Sequence, residues 1–131
     1  MSLVATRKPL LGNVIKLEYA REHGFCRELV EVFVSADTEL SVGSVLGMNS
    51  TTKQYAPRDP AASDGTEVAA AIVVENKSVP ASTATGVAAI VRGPAIAANG
   101  GLVFDVTHTE TEIEEAIAEI ETLGVVVREQ V

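Results

Sequence analysis

The sequence predicts an α+β domain that is mainly β: a small compact unit of short strands with one C-terminal helix, at about residues 109–123, and a terminal strand after it. Three observations carry this expectation. Runs rich in Val, Ile and Ala alternate with turn clusters along most of the chain. A 3.6-residue apolar period appears convincingly only once, late, at Ile113, Ala116, Ile117, Ile120 and Leu123. The 131 residues fit one domain plus a terminal arm and leave no room for a two-domain enzyme.

Taken in order, residues 1–24 mix charges with hydrophobic residues and lack a clear period, and Pro9 and Gly12 oppose a helix through the start. They read as an arm, with the domain proper at residues 25–131. Residues 25–34 (FCRELVEVFV) read as the first strand. Ser35 to Glu39 is polar and turn-like, and residues 42–47 (VGSVLG) give a second strand limited by glycines. Tyr55 begins a hairpin return after the polar run at 49–53. The segment APRDPAASDG at 56–65 is a loop, because two prolines, two aspartates and a glycine suit no regular element.

Residues 66–74 (TEVAAAIVV) read as a buried strand, with a helix left open by the three alanines. A polar crossing at 75–85 leads to a strand at 86–92, a short apolar piece before Asn99-Gly100-Gly101, and Leu102-Val103-Phe104. The helix follows. Thr109 or Thr111 caps its start, glutamates meet the positive end of its dipole, and Gly124 stands where a left-handed C-terminal residue belongs. Val125 to Arg128 returns as the last strand.

Composition narrows the function classes. Hydrophobic residues are 47% of the chain but aromatics only 4%, so the core must be aliphatic and thin, which favours burial against a partner. A net charge of −8 has the wrong sign for a phosphate backbone and argues against nucleic-acid binding. The single Cys26 cannot close an internal disulfide. No run approaches the roughly 18 apolar residues of a membrane span, and no secretory leader is visible, so the chain reads as made in the cytoplasm.

No catalytic, cofactor or metal site is expected. His23 and Cys26 stand three apart with no further ligands, where structural zinc needs four. Cys26 assisted by His108 has no local motif, and Cys26 reads as a small hydrophobe at a strand start. The six glutamates between Glu110 and Glu121 read as the solvated face of an amphipathic helix rather than a carboxylate pair. Ser63-Asp64-Gly65-Thr66 lacks the lysine and glycine spacing of a phosphate loop and reads as a turn.

With these elements in place, the segment DPAASDGTEVAAA at 59–71 resembles the lambda-type phage head decoration protein family. The order of features is similar too: Arg27-Glu28 before a strand, Gly-Ser-Val-Leu-Gly at 43–47, Lys53-Gln54-Tyr55-Ala56-Pro57, Val91-Arg92-Gly93, and AIAEIETLGVVVR at 116–128. The resemblance spans about residues 27–128, with Thr52 where the family's return has Gly and Phe104-Asp105 where Trp-Pro is common. It implies a non-enzymatic homotrimer on the outer surface of the expanded capsid at local threefold positions, bound to the major capsid protein and resisting the pressure of packaged DNA. Leu3, Val4, Arg7, Lys8, Leu10 and Leu11 are then the candidate capsid-binding residues of the arm, able to add a strand to a capsid sheet edge. Two other classes compete. A small enzyme or ligand-binding β domain would need a concave site with convergent polar groups, and another virion protein, such as a spike or fibre base, would share the short strands.

Overall fold

The computed structural model describes residues 14–20, 24–104 and 108–128. Among them, five strands close into a small barrel: β2 (Arg27–Val32), β4 (Val45–Met48), β5 (Tyr55–Pro57), β6 (Ala69–Val73) and β8 (Thr85–Ile90), in the order β2-β5-β4-β6-β8. All pairings are antiparallel except the closing one. There β2 and β5 run parallel and share the single pair Val32↔Tyr55, extended by the Phe33 amide donating to the Tyr55 carbonyl at 2.9 Å.

Strand alternation sorts the apolar side chains into two cores. Val30, Val32, Leu46, Ala71, Val73, Val87 and Ala89 fill the barrel. Their strand neighbours Val45, Ile72 and Ile90 point the other way, into a second core. A two-stranded ribbon, β3 (Thr38–Leu40) with β7 (Lys77–Val79), adds Leu40 and Val79 to the barrel interior. These two strands lie where the sequence reads only turn and polar crossing. Each offers a single buried anchor between polar residues, too short a pattern to show alternation.

The second core is covered by a three-stranded sheet and the helix. β1 (Ile15–Glu18) runs antiparallel, and β10 (Val125–Arg128) parallel, to the central β9 (Ala95–Ala98). α1 (Glu110–Glu121) packs against β10 and β6, where Ala116 and Ile120 are fully buried in the same core as Val125, Ala95 and Ala97. Thr109 caps α1 through a capping box: its hydroxyl accepts the Glu112 amide at 3.2 Å, while the Glu112 carboxylate accepts the Thr109 amide at 2.8 Å. Gly124 ends the helical turn at φ +92°.

One ion pair locks the helix to the barrel. Arg58 follows β5 and is 5% exposed. Its Nε donates to Glu119 Oε1 at 3.1 Å, its Nη1 reaches the Glu112 carbonyl at 3.4 Å, and the same Glu119 oxygen accepts the amide of buried Ala69 at 2.8 Å. Thus the helix glutamates are not uniformly solvated as the sequence suggests: Glu119 points towards the barrel and joins two elements, and Glu112 turns back to cap its own helix. Gly43, at φ +100°, lets the chain pass the Gly101 carbonyl where a methyl group would collide with it.

The strands read at 25–34 and 66–74 are present with trimmed ends, the one at 86–92 is shifted to Thr85–Ile90, and the one at 125–128 is present as read. The expected strand at Leu102-Val103-Phe104 is reduced to one bridge, Ser44↔Val103, and the 56–65 loop loses Ala56 and Pro57 to β5. The larger difference concerns the start of the chain. Val14 is fully buried and Ile15 nearly so, and β1 is hydrogen-bonded to β9, so residues 14–20 belong to the folded unit although the sequence groups them with the arm. Four residues of β1 are too few to show a period, and their partner lies some eighty residues away in sequence.

Candidate binding surface

A chain with five aromatic side chains buries none of them fully: the core is made of Val, Ile, Leu, Ala and Cys26. Three stand outward, with Tyr19 57%, Phe25 48% and Phe33 41% exposed. Tyr19 and Phe25 meet edge to face, their ring centroids 5.4 Å apart, and Leu17 on β1 is similarly exposed.

The ground under this cluster is rigid. Glu18, whose side chain is almost wholly buried, accepts from Arg27 at 2.8 Å and ties β1 to β2. Arg92, at the end of β8, donates to the Phe25 carbonyl at 2.6 Å, lies over the Phe25 ring at 5.9 Å from its centroid, and pairs with Glu28. Below, the Cys26 thiol is fully buried and faces the Tyr19 and Pro94 carbonyls at 3.6 and 3.5 Å. Burial pushes its pKa up, outweighing the backbone hydrogen bond that lowers it, so the thiol is held protonated and shielded. That is the opposite of what a nucleophile needs.

A groove of about 780 Å³ lies where Phe33 and the end of β2 meet β5 and the following loop, with Pro57, Asp59 and Asp64 in its lining. Asp64 is committed to turn geometry: its Oδ1 accepts the Thr66 hydroxyl at 2.6 Å and the Thr66 amide at 3.0 Å. The hydroxyl first, then the amide, holds its carboxyl below the ordinary aspartate value, which makes it a poor proton acceptor. A smaller groove on the same side reaches His108, whose ring lies tilted by 48° to that of Phe104 with centroids 5.2 Å apart. Cys26 and His108 therefore sit in different surroundings, one in the core and one in a groove wall. Among the described residues no three His, Cys, Asp or Glu side chains are grouped as metal ligands, and no helix is long and apolar enough to cross a membrane.

The candidate arm residues Leu3, Val4, Arg7, Lys8, Leu10 and Leu11 lie outside the described residues. The sequence reading passed over Leu17, Tyr19 and Phe25. The signal available was composition: in a chain this poor in aromatics, two of them sit in or beside the stretch with no period of its own.

A small barrel whose polar groups are spent on turns and ties, and whose largest side chains face outward, defines a structural binding subunit. The chain belongs to the bacteriophage lambda head decoration protein D family, whose model matches residues 5–125. The match begins well before residue 27, where the sequence resemblance starts, and takes in β1 and most of the preceding segment. The protein is accordingly a capsid component of the virion with a decoration role in the phage head. No curated protein matches the chain.

Proposed function

We propose that this chain is a cement subunit that binds as a homotrimer to the outer surface of the expanded capsid, at local threefold positions on the major capsid protein, and stabilises the shell against internal DNA pressure. The observation that carries the reading is the family match over residues 5–125. It is supported by an aliphatic core with outward aromatics, which suits a protein that works through surfaces, and by a net charge of −8, which suits one that does not touch the packaged DNA. It is made in the host cytoplasm, needs no cofactor and has no catalytic role.

Residues 1–13 are the arm in this reading. They contain Arg7 and Lys8, no acidic residue, and the apolar Leu3, Val4, Leu10 and Leu11. On the capsid they add a strand to an exposed sheet edge, held by backbone pairing and apolar burial. The test mixes pure protein with expanded, undecorated capsids and with unexpanded ones, then locates the added density. Trimeric density at local threefold positions on expanded capsids alone is the expected result, and no binding overturns the reading. A chain cut just before Val14, which spares β1, should keep its oligomeric state and lose capsid affinity; full affinity would remove the arm from the account.

A further inference from the structure

The wall of the groove beside Phe33 is negative and poor in free donors. Its charged members are Arg58, Asp59 and Asp64. Arg58 is turned to the helix, where its Nε donates to Glu119 and its Nη1 reaches the Glu112 carbonyl. The two aspartates therefore set the sign of the groove.

The neutral side chains follow the same pattern. The Thr38 hydroxyl donates to the Ala36 carbonyl at 2.8 Å, Asn49 Nδ2 to Asp64 Oδ2 at 3.3 Å, Gln54 Nε2 to Glu31 Oε1 at 2.7 Å, and the Thr66 hydroxyl to Asp64 Oδ1 at 2.6 Å. With these donors spent on the protein's own oxygens, the groove offers a visitor mainly acceptors. A carboxylate has about four lone-pair sites. Asp64 fills most of its sites with Thr66 and Asn49, whereas Asp59 accepts only from the Ala61 amide, at 3.0 Å.

Both carboxylates are held in place before any ligand arrives. The Asp59 amide donates to the Thr66 carbonyl at 3.1 Å, and the Asp64 carbonyl accepts the Ser50 amide at 2.8 Å. Such fixed acceptors cost a ligand little to engage.

The rest of the wall is apolar, with the Phe33 ring 41% exposed and Ala36, Ala56 and Pro57 in the same lining. A cation placed over a phenyl ring and beside a carboxylate gains from both. Arginine combines the two best: its flat guanidinium stacks on an aromatic face and forks onto a carboxylate, while the lysine ammonium is a compact, strongly hydrated point. The apolar stretch beside the aspartates calls for apolar neighbours around the cation, which a polypeptide supplies and free arginine or a polyamine does not. The volume of about 780 Å³ lies within the roughly 300–1,000 Å³ of sites that hold whole ligands. A nucleic acid or an anionic membrane surface meets the wrong sign, and the net charge of −8 draws cations in.

We propose that this groove receives an arginine from an extended segment of a partner protein, its guanidinium on Asp59 and over Phe33, its apolar neighbours against Ala36, Ala56 and Pro57. The proposal goes beyond the decoration reading and does not depend on it, since capsid binding enters none of the measurements below.

The experiment titrates the full, isotope-labelled chain with acetyl-Ala-Leu-Arg-Leu-Ala-amide, and with the same peptide carrying citrulline, lysine or glutamate in place of the arginine, and follows the amide resonances. The arginine peptide should move the Phe33, Ala36 and Asp59 signals. Citrulline, which keeps the shape and loses the charge, should bind about fivefold more weakly or worse, and the glutamate peptide should not bind. Asp59→Asn keeps an oxygen for the Ala61 amide and should weaken the arginine peptide by a similar factor, and Phe33→Leu should abolish the preference for arginine over lysine. Absence of shifts at these residues overturns the proposal, as does equal binding of the citrulline peptide or an unchanged affinity in Asp59→Asn. Free arginine binding as tightly as the peptide also overturns it, by assigning the groove to a small cation. Should either variant fold poorly by circular dichroism, the comparison of peptides on the unaltered chain decides.

Discussion

Glu119→Ala removes the carboxylate paired with the buried Arg58 guanidinium. The side chain of Arg58 is 3% exposed and that of Glu119 27%, so the pair is buried on one side and partly wetted on the other. Removing one partner of a fully buried pair costs about 3–5 kcal/mol, mostly for the charge left behind. Partial exposure of Glu119 lowers that to roughly 2–3 kcal/mol. The same change leaves the amide of buried Ala69 without the oxygen it donates to, which adds about 1–2 kcal/mol. The total is about 3–5 kcal/mol, a large share of the stability of a domain this size. Urea unfolding followed by circular dichroism, at one fixed protein concentration for all variants, should show this loss with little change in m-value. Glu119→Gln keeps an acceptor for Ala69 and should lose less. Arg58→Met combined with Glu119→Leu removes both charges and should be milder than the sum of the single changes, with a coupling above about 1 kcal/mol. A Glu119→Ala variant within 1 kcal/mol of the parent, or strictly additive single changes, would refute the view that this pair fastens the helix to the barrel.

Three further outcomes are expected. Gly43→Ala forces an alanine to φ +100° and drives its methyl group into the Gly101 carbonyl, so it should cost at least about 2 kcal/mol, whereas Gly100→Ala, where a methyl group meets nothing, should be nearly neutral; equal midpoints for the two would refute the packing argument. Cys26 should resist iodoacetamide in the folded protein and react readily in urea. Because its folded pKa is raised above the ordinary thiol value of 9.0, the neutral thiol's contribution is fully present below that value and is lost as pH rises through it towards the folded pKa. Cys26→Ala should flatten that alkaline decline, as measured by midpoints from pH 8 upwards.

Much of the domain is legible in the sequence because local signals and tertiary demands agree there. The α1 period, its Thr109 cap and Gly124 all point to one helix, and the alanine- and valine-rich runs at β6 and β8 are buried on both faces as uninterrupted apolar runs should be. What escaped is set by distant partners. β1, β3 and β7 are three or four residues long and exist because β9 or each other lie alongside. The role of Glu119 depends on Arg58, sixty-one positions away. The exposed aromatic cluster joins Tyr19, Phe25 and Arg92, residues from three separate stretches. The absence of a reactive constellation in the sequence pointed towards surfaces, but which surface depends on folding β1 into the domain.

The register of the three-stranded sheet has a practical corollary. Ile15 and Val127 both sit opposite Ala97, one on each side of β9, so the chain enters and leaves the folded unit at the same end, roughly 10 Å apart. Cargo fused behind the last strand would start beside β1 and would need a linker to carry it clear of that edge. The same closeness means that a short peptide could join the two ends into a ring, leaving new termini to be opened in a turn on the far side of the barrel.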